Sequence, residues 1–494
     1  MIIAILVLYG LAMFFVFCFS FIQLDLIYHF YSKQKTKYNF LNRERVVLEE
    51  NLPFVTIQLP LYNELYVAKR LIQSIAVIDY PSHLLEVQIL DDSTDETTAI
   101  IESTLASLGT KADVFRLIRR EDRKGYKAGA LKYGLENSKG EYVAIFDADF
   151  LPEKEFLKKT IPYLLEDENV GAVQTRWEHL NKDYSILTKV QAFALDAHFS
   201  VEQSGRNNAN YFINFNGTAG VWRKKCIEDA GNWQGDTITE DLDLSFRAQL
   251  KGWRFIYTPH ICAPAELPAT MNAWKAQQYR WNKGPAENVR KNFKNVILSN
   301  LNLKTKIHGV FHLLNSSAYL SILVISMLSV PILYFQDEIQ KAVSPKIFQY
   351  ASIFMFNFFV ISVFYGVAFF KFRAKQKNAT LVFLKTYYAY LCLSMGLTLN
   401  NVKAVIEGYL GKKTPFVRTP KFNIVSKKDK LNSNIYRIRK ISTLVVLEGL
   451  CSLYFTFGLF YGILNLNFSF VFLHLSLSIG FGMVSYYSVK HANI

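Results

Sequence analysis

Tyr142-Val143-Ala144-Ile145-Phe146-Asp147-Ala148-Asp149 is the stretch on which the reading of the fold turns. A short apolar, β-prone run passes directly into two carboxylates that flank a single alanine. Such a run, bounded by turn residues, reads as a buried strand. Carboxylates at its end stand where open α/β sheets bind ligands, beyond the carboxyl ends of the strands. The pattern recurs outward from this point. Phe54–Leu59, Leu85–Leu90, Val114–Ile118 and Val170–Gln174 are further β-rich runs, and Asp91-Asp92 follows one of them as Asp147 follows Phe146. Glu64–Val77, Glu96–Leu108 and Ala128–Asn137 carry helical patterns between them. Strand and helix alternating over residues 50–260 predict a mostly parallel, doubly wound sheet.

The 494 residues are 51% hydrophobic, and the apolar ones are unevenly spread. Residues 2–28 are almost uninterrupted, enough for the roughly 20 residues of a spanning helix. Similar segments lie near 308–335, 347–370, 442–464 and 467–487. The first segment lacks a basic leading region and a small-residue cleavage site, so it reads as a retained anchor rather than a signal peptide. Lys33, Lys35, Lys37, Arg43 and Arg45 follow it and place its C-terminal side on the cytoplasm. The basic stretches Lys371–Lys377 and Lys412–Lys440 belong on that same face. The segment between them, 380–405, carries Lys385, Asn400, Asn401 and Lys403, and is expected to lie along the interface rather than cross. Five crossings result, with the N-terminus outside and the C-terminus inside. The net charge of +15 fits this positive-inside bias, and no nucleic-acid-binding motif accompanies it. Cys18, Cys226, Cys262, Cys392 and Cys451 are scattered, with neither a disulfide framework nor metal-ligand spacing.

Four groups of residues carry chemistry. Asp147 and Asp149 put two carboxylates on one tight turn. Hard divalent cations prefer oxygen, and Mg²⁺ binds through one or two carboxylates plus substrate phosphates. Asp91-Asp92 offers an acceptor for the ring N–H of a base, or a cap for a helix beginning near Ser93. Thr239-Glu240-Asp241 precedes an amphipathic helix, where a carboxylate serves as a general base or simply complements the helix dipole. Gln277-Gln278-Tyr279-Arg280-Trp281 places Gln277, Arg280 and Trp281 on one helical face. Trp281 offers a flat surface for a sugar and Arg280 a partner for a pyrophosphate. The same pair suits an interfacial tryptophan belt with a snorkelling arginine. Arg123–Gly129 sets cations and glycines before a helix; the pattern suits phosphate, but taken alone it reads first as an ordinary solvated turn.

In this order and spacing the set resembles the inverting family 2 glycosyltransferases, specifically the processive cellulose synthase and cellulose-synthase-like (mannan synthase-like) branch. The resemblance implies a GT-A-type glycosyltransferase domain, α/β with a mostly parallel sheet, inserted between transmembrane helices. It implies about five spans plus cytoplasmic interface helices. The expected division is an anchor at 1–31, the catalytic domain at 32–265, interface helices at 266–305 and two spans at 306–372. An interface helix and gating loop follow at 373–440, then two spans at 441–494.

The turn Pro60-Leu61-Tyr62-Asn63-Glu64 resembles the family's opening nucleotide-binding turn. Pro60, Tyr62, Glu64, Asp92, Lys127, Asp147 and Asp149 are therefore expected to hold a nucleotide sugar, with Asp92 toward the base. Asp147 and Asp149 are expected to hold Mg²⁺ or Mn²⁺. Asp241 matches the catalytic base, and Arg280 the cation that assists departure of the nucleotide. Phe215-Asn216-Gly217-Thr218-Ala219-Gly220 resembles an acceptor-lining loop. Phe215, Asn216, Gly217 and Thr218 are accordingly assigned to the acceptor, with Glu240, Gln277 and Trp281. Phe416-Val417-Arg418-Thr419-Pro420-Lys421 resembles the FxVTxK gating loop, so Phe416, Thr419 and Lys421 are expected to cover the donor. Arg418 stands where that motif has valine.

The implied reaction is a single displacement that transfers a hexose from UDP-glucose or GDP-mannose to the end of a growing, exported β-glycan. Adding one sugar to a membrane lipid is the alternative, using the same site. A scaffold or carrier would need no acidic set. The implied partners are the nucleotide-sugar donor, a glycan or lipid acceptor, membrane lipids and accessory export subunits, with no nucleic acid. The implied location is the bacterial inner membrane or its equivalent, with the catalytic domain cytoplasmic. No RxxxR-bearing cyclic-dinucleotide-binding segment follows the last spans, so regulation of that kind is not expected.

Overall fold

The computed structural model describes residues 2–32, 49–344, 352–375, 377–414, 418–429, 431, 435–436, 438 and 441–493. Phe416 and the basic flank from Lys33 to Arg45 lie outside the described residues. Seven strands form one sheet: β1 Val55–Leu61, β2 Leu85–Asp91, β3 Phe115–Ile118, β4 Tyr142–Ile145, β5 Val170–His179, β6 Gly220–Arg223 and β7 Arg254–Ala265. Their order is β3-β2-β1-β4-β6-β5-β7. All neighbours run parallel except β6, which pairs antiparallel with both β4 and β5. The five expected strands are present. β6 and β7 extend the sheet beyond them, and β5 runs on past Gln174 to His179.

A parallel sheet needs both faces covered. On one face Ile57, Leu59, Val87 and Ala144 pack against Leu71 and Ile72 of α2 (Ala68–Ile75) and Phe156 and Ile161 of α5 (Phe156–Glu166). On the other, Leu90, Val143 and Ile145 pack against Leu131 and Leu135 of α4 (Tyr126–Glu136). Helix α1 (Ile2–Tyr31) precedes the domain, and α3 (Thr97–Ser107) follows β2. Helices α6 (Ile186–Ala197), α7 (Gln203–Ala209) and α8 (Lys224–Asp229) lie between β5 and β7. Helix α9 (Glu240–Leu250) leads into β7, and α10 (Met271–Leu298) leaves it. The side chain of Thr270 caps α10 by accepting from the Ala273 N–H.

Among the described residues, five helices are long and apolar enough to cross a membrane: Ile2–Tyr31, Asn315–Tyr334, Phe356–Arg373, Thr443–Leu464 and Val471–Ala492. Each overlaps an expected span, and the second, third and fifth begin later than expected, at Asn315, Phe356 and Val471. Residues 303–313 form a separate helix before Asn315. The segment expected to be one interface helix, 380–405, is instead two helices, Ala379–Gly396 and Thr398–Tyr409, bent by 49°. Read together as one broken span, they make a sixth candidate. Packing explains the bend. Gly396 lies so close to the Gly480 backbone that a Cβ would collide with it, which fastens the first half to the last apolar helix. The second half turns toward α10, where Asn400 Nδ2 donates to the Lys275 carbonyl at 3.1 Å.

Candidate active site

The carboxyl ends of β1, β2, β4, β5 and β7 surround a cavity of about 240 Å³. From the expected nucleotide set, Pro60, Tyr62, Glu64, Asp92, Lys127, Asp147 and Asp149 all line it. From the expected acceptor set, Asn216, Gly217, Glu240, Gln277 and Trp281 do so, together with Asp241, Arg280, Thr419 and Lys421. Two expected residues stand behind the wall. Phe215 is fully buried against Trp222, as an apolar ring in a loop of the core would be. Thr218 is also fully buried, and its Oγ1 accepts the Asp147 N–H at 2.9 Å, so it shapes the turn rather than the cavity surface.

The Asp147–Asp149 turn is held by two lysines. Lys127 Nζ pairs with the Asp147 carboxylate and donates to the Gly217 carbonyl at 2.9 Å. Burial works against the Lys127 ammonium, but Asp147 beside it, with Glu240, holds its pKa above the usual value. Lys421 Nζ lies 2.6 Å from Asp149 Oδ2 and 2.9 Å from the Glu266 carbonyl. The Glu266 N–H donates to the same Asp149 oxygen at 3.1 Å. Thus a residue of the expected gating loop sits directly on the expected metal turn.

The acidic start of α9 faces a different environment. Asp241 Oδ1 accepts its neighbour's Leu242 N–H at 2.8 Å. Burial, and then the adjacent Glu240, push the Asp241 carboxyl up to about 7, against the pull of Lys127. Burial likewise raises Glu240. Gly217 closes over this pair with φ +77°, and a Cβ there would lie 3.0 Å from Asp241 Oδ2. Only glycine combines that backbone conformation with that approach. Gly284 does the equivalent work from α10. A Cβ at 284 would collide with the Thr239 side chain, so α10 rests directly on the residue that starts α9. Asn288 Nδ2 adds a hydrogen bond to Thr239 Oγ1 at 3.1 Å.

Arg280 is buried. Desolvation lowers its pKa to about 10 despite Asp147 and Glu240, which leaves it cationic near neutrality. Its Nη2 donates to Thr419 Oγ1 at 2.7 Å, tying α10 to the segment expected to gate the site. Trp281 stands 6.3 Å from the Trp177 ring. Gln277 and Trp281 also line a second cavity of about 90 Å³, shared with Trp274, Tyr319 and Tyr390. That cavity enters the apolar helices. At the opposite end Asp92 is held by Arg120, whose Nε lies 3.0 Å from Oδ1. The Arg123 guanidinium covers the Tyr62 ring at 3.1 Å from its centroid.

Sequence reasoning assigned no role to Trp177, His179 or Glu266, which also line the main cavity. Trp177 and His179 lie on the unexpected extension of β5, and Glu266 follows β7. The strand-end rule that exposed Asp92 and Asp147 would have found Glu266, had Arg254–Ala265 been read as a strand.

A metal site is testable on its donor set. Among the described residues, no group of three or more His, Cys, Asp or Glu side chains gathers to hold an ion. Asp147 and Asp149 supply two hard oxygen donors, and Mg²⁺-type sites complete their shells with phosphates and water. The turn therefore fits a divalent cation as half of a site whose remainder is substrate. Such an ion would exchange for the two ammonium groups.

Residues 53–284 match the family described as "Glycosyltransferase like family 2". The chain is 42% identical over 276 residues to glucomannan 4-beta-mannosyltransferase 2 of Arabidopsis thaliana, covering 55% of this chain and 52% of that one. It is 43% identical over 270 residues to glucomannan 4-beta-mannosyltransferase 1 of Cyamopsis tetragonoloba, covering 54% and 51%. The chain thus spans about half the length of the curated relatives it matches. Among solved structures, the mannosyltransferase PcManGT from Pyrobaculum calidifontis in complex with GDP-Man and Mn²⁺ aligns with a TM-score of 0.52 at 18% identity. It covers 82% of this chain and 100% of that one. At that identity the likeness is one of fold, and the fold is GT-A-like.

Proposed function

We propose that the chain, whose residues 53–284 match a family 2 glycosyltransferase, is an inverting, metal-dependent hexosyltransferase that extends a β-glycan. The names of its relatives favour GDP-mannose over UDP-glucose as donor. One observation carries the reading. A two-carboxylate turn and a second, desolvated acidic pair meet in one cavity, and that cavity continues through Gln277 and Trp281 into another among the apolar helices.

Asp241 accepts the proton of an acceptor hydroxyl, whose oxygen attacks the anomeric carbon of the donor. The bond to the diphosphate oxygen breaks with its electron pair, and one displacement inverts the centre. A carboxyl titrating near the working pH suits a general base. A divalent cation at the Asp147–Asp149 turn would stabilise the charge that gathers on the departing diphosphate. Arg280 and Lys127 face the same charge from the protein side. Trp281 and Trp177 provide the apolar surface on which the acceptor sugar rests. The second cavity receives the lengthening product, which favours polymer over the single-sugar glycolipid. We place the catalytic domain on the cytoplasmic side, with a span count of five. A reporter fused after Gly411 that lies across the membrane from the catalytic domain would refute that topology.

The test uses purified full-length protein, labelled GDP-mannose or UDP-glucose, and product sizing with and without chelator. Chelator-sensitive chains of many residues are expected from GDP-mannose. A product that stops at one sugar on lipid overturns the polymer reading, and no transfer from either donor overturns the donor class.

A further inference from the structure

Arg418 stands where the FxVTxK pattern has valine, and it lies in the wall of the catalytic cavity. Its segment is fastened across the mouth of that cavity. Arg70 Nη1 donates to Asn423 Oδ1 at 2.6 Å, and the Phe422 N–H donates to Glu266 Oε1 at 2.7 Å. Lys421 is on Asp149, and Thr419 on Arg280. Arg418 itself uses only part of its fork for this fastening. Its Nη1 lies 2.9 Å from Glu64 Oε2 and donates to the Tyr62 carbonyl at 3.3 Å and to the Asn63 carbonyl. Its flat face covers Tyr436, with the guanidinium carbon 4.0 Å from the ring centroid. The Tyr436 hydroxyl in turn donates to Asp95.

The second terminal nitrogen, Nη2, is buried and has no hydrogen-bond partner among the described residues. Buried charged donors without partners are rare in native structures, because each forfeits its hydration without replacement. A guanidinium presents two parallel donors suited to phosphate oxygens, and a latch to Glu64 would need only one of them. Arg418 lines the same cavity as Asp147 and Asp149, and Lys421, three residues on, sits on Asp149, so the unused donor belongs to the wall around the carboxylate turn rather than to a remote surface.

We infer that Arg418 is a donor-binding residue of this chain: Nη2 takes an oxygen of the nucleoside diphosphate while Nη1 stays on Glu64. The inference rests on the proposed nucleotide-sugar chemistry. It makes the segment from Arg418 to Lys421 a direct reader of the donor's anionic part, not merely a cover. It also gives the departure from valine a purpose: a charge stands where the motif has an apolar side chain.

The experiment is calorimetric titration of GDP and of UDP, with guanosine as control, into full-length protein in detergent with Mn²⁺. The variants are Arg418→Val, which restores the motif's own residue, and Asn423→Ala, which loosens the segment without touching the cavity wall. Arg418→Val is expected to weaken GDP binding by about ten- to a hundredfold, the scale of a charged hydrogen bond. It should leave guanosine binding unchanged, and Asn423→Ala should weaken GDP by about threefold or less. GDP binding by Arg418→Val within twofold of the parent, or an equal loss in Asn423→Ala, overturns the inference and leaves Arg418 a latch. An equal loss for guanosine overturns the assignment to the diphosphate. A parent protein that binds neither GDP nor UDP refutes the nucleotide-sugar reading itself, and this inference with it.

Discussion

At the Asp147–Asp149 turn each carboxylate meets an ammonium, Lys127 on one and Lys421 on the other. At the start of α9, Glu240 and Asp241 have no ion pair among the described residues, and burial raises both. Both pairs border one cavity. Carboxylates already held in ion pairs are suited to exchanging one cation for another. Desolvated, unpaired carboxylates are suited to gaining and losing a proton. On the proposed chemistry, the contrast would assign the two halves of a displacement reaction to two walls of the same site: departure at the turn, attack at the helix start.

The largest effect that tests this contrast is at the helix start. Asp241→Asn should lower turnover by about 10²–10⁴-fold, the range for a lost general base, with donor affinity changed only a few-fold. Near-normal steady-state turnover would remove the base from this wall. At the turn, Asp149→Ala should abolish the Mn²⁺-dependent part of donor binding, roughly ten- to a hundredfold by calorimetry with and without the ion. Affinity that ignores Mn²⁺ in the parent would break the assignment of the turn.

A smaller effect comes from pH. A carboxyl held at about 7 is protonated below that value and cannot accept a proton. Turnover should therefore rise as pH increases through about 7 and fall roughly tenfold per unit below it. A flat rate profile from pH 5 to 8 would erase the distinction between the pairs. The smallest effect is at Lys421. With Lys421→Met, Mn²⁺ binding measured by electron paramagnetic resonance without nucleotide should tighten by about threefold, the scale of a partly exposed ion pair. Unchanged binding would mean that the lysine does not compete for the turn.

Much of this site was legible in the sequence because its residues sit at strand ends. Asp92 and Asp147 follow apolar runs that stay in register, with Leu61 opposite Asp91 and Gln58 opposite Ile145. The parts that stayed hidden depend on contacts distant in sequence. Strand β6 is short, opens on glycine and pairs antiparallel between two strands that precede it. Strand β7 contains Pro259 and Pro264, which weaken a strand pattern. With β7 unseen, Glu266 at its end had no context. The bend after Gly396 depends on Gly480, and the place of Lys421 on Asp149, which no spacing in the motif specifies. Phe215 shows the opposite failure: the motif assigned it to the acceptor, while its apolar ring was better accommodated against Trp222.

The contact of Gly284 with Thr239 has a further consequence. It leaves no side chain between the helix that bears Gln277 and Trp281 and the residue that precedes Glu240 and Asp241. On the proposed chemistry, the platform under the acceptor sugar and the base beside it are then set at one distance, like the jaws of a caliper. A sugar resting on Trp281 would offer one of its hydroxyls to Asp241 and hold the others out of reach. Regiochemistry would follow from the thickness of a glycine. Gly284→Ala should accordingly appear first as a mixture of linkages in the methylation pattern of the product, and an unmixed pattern with reduced yield would count against the caliper.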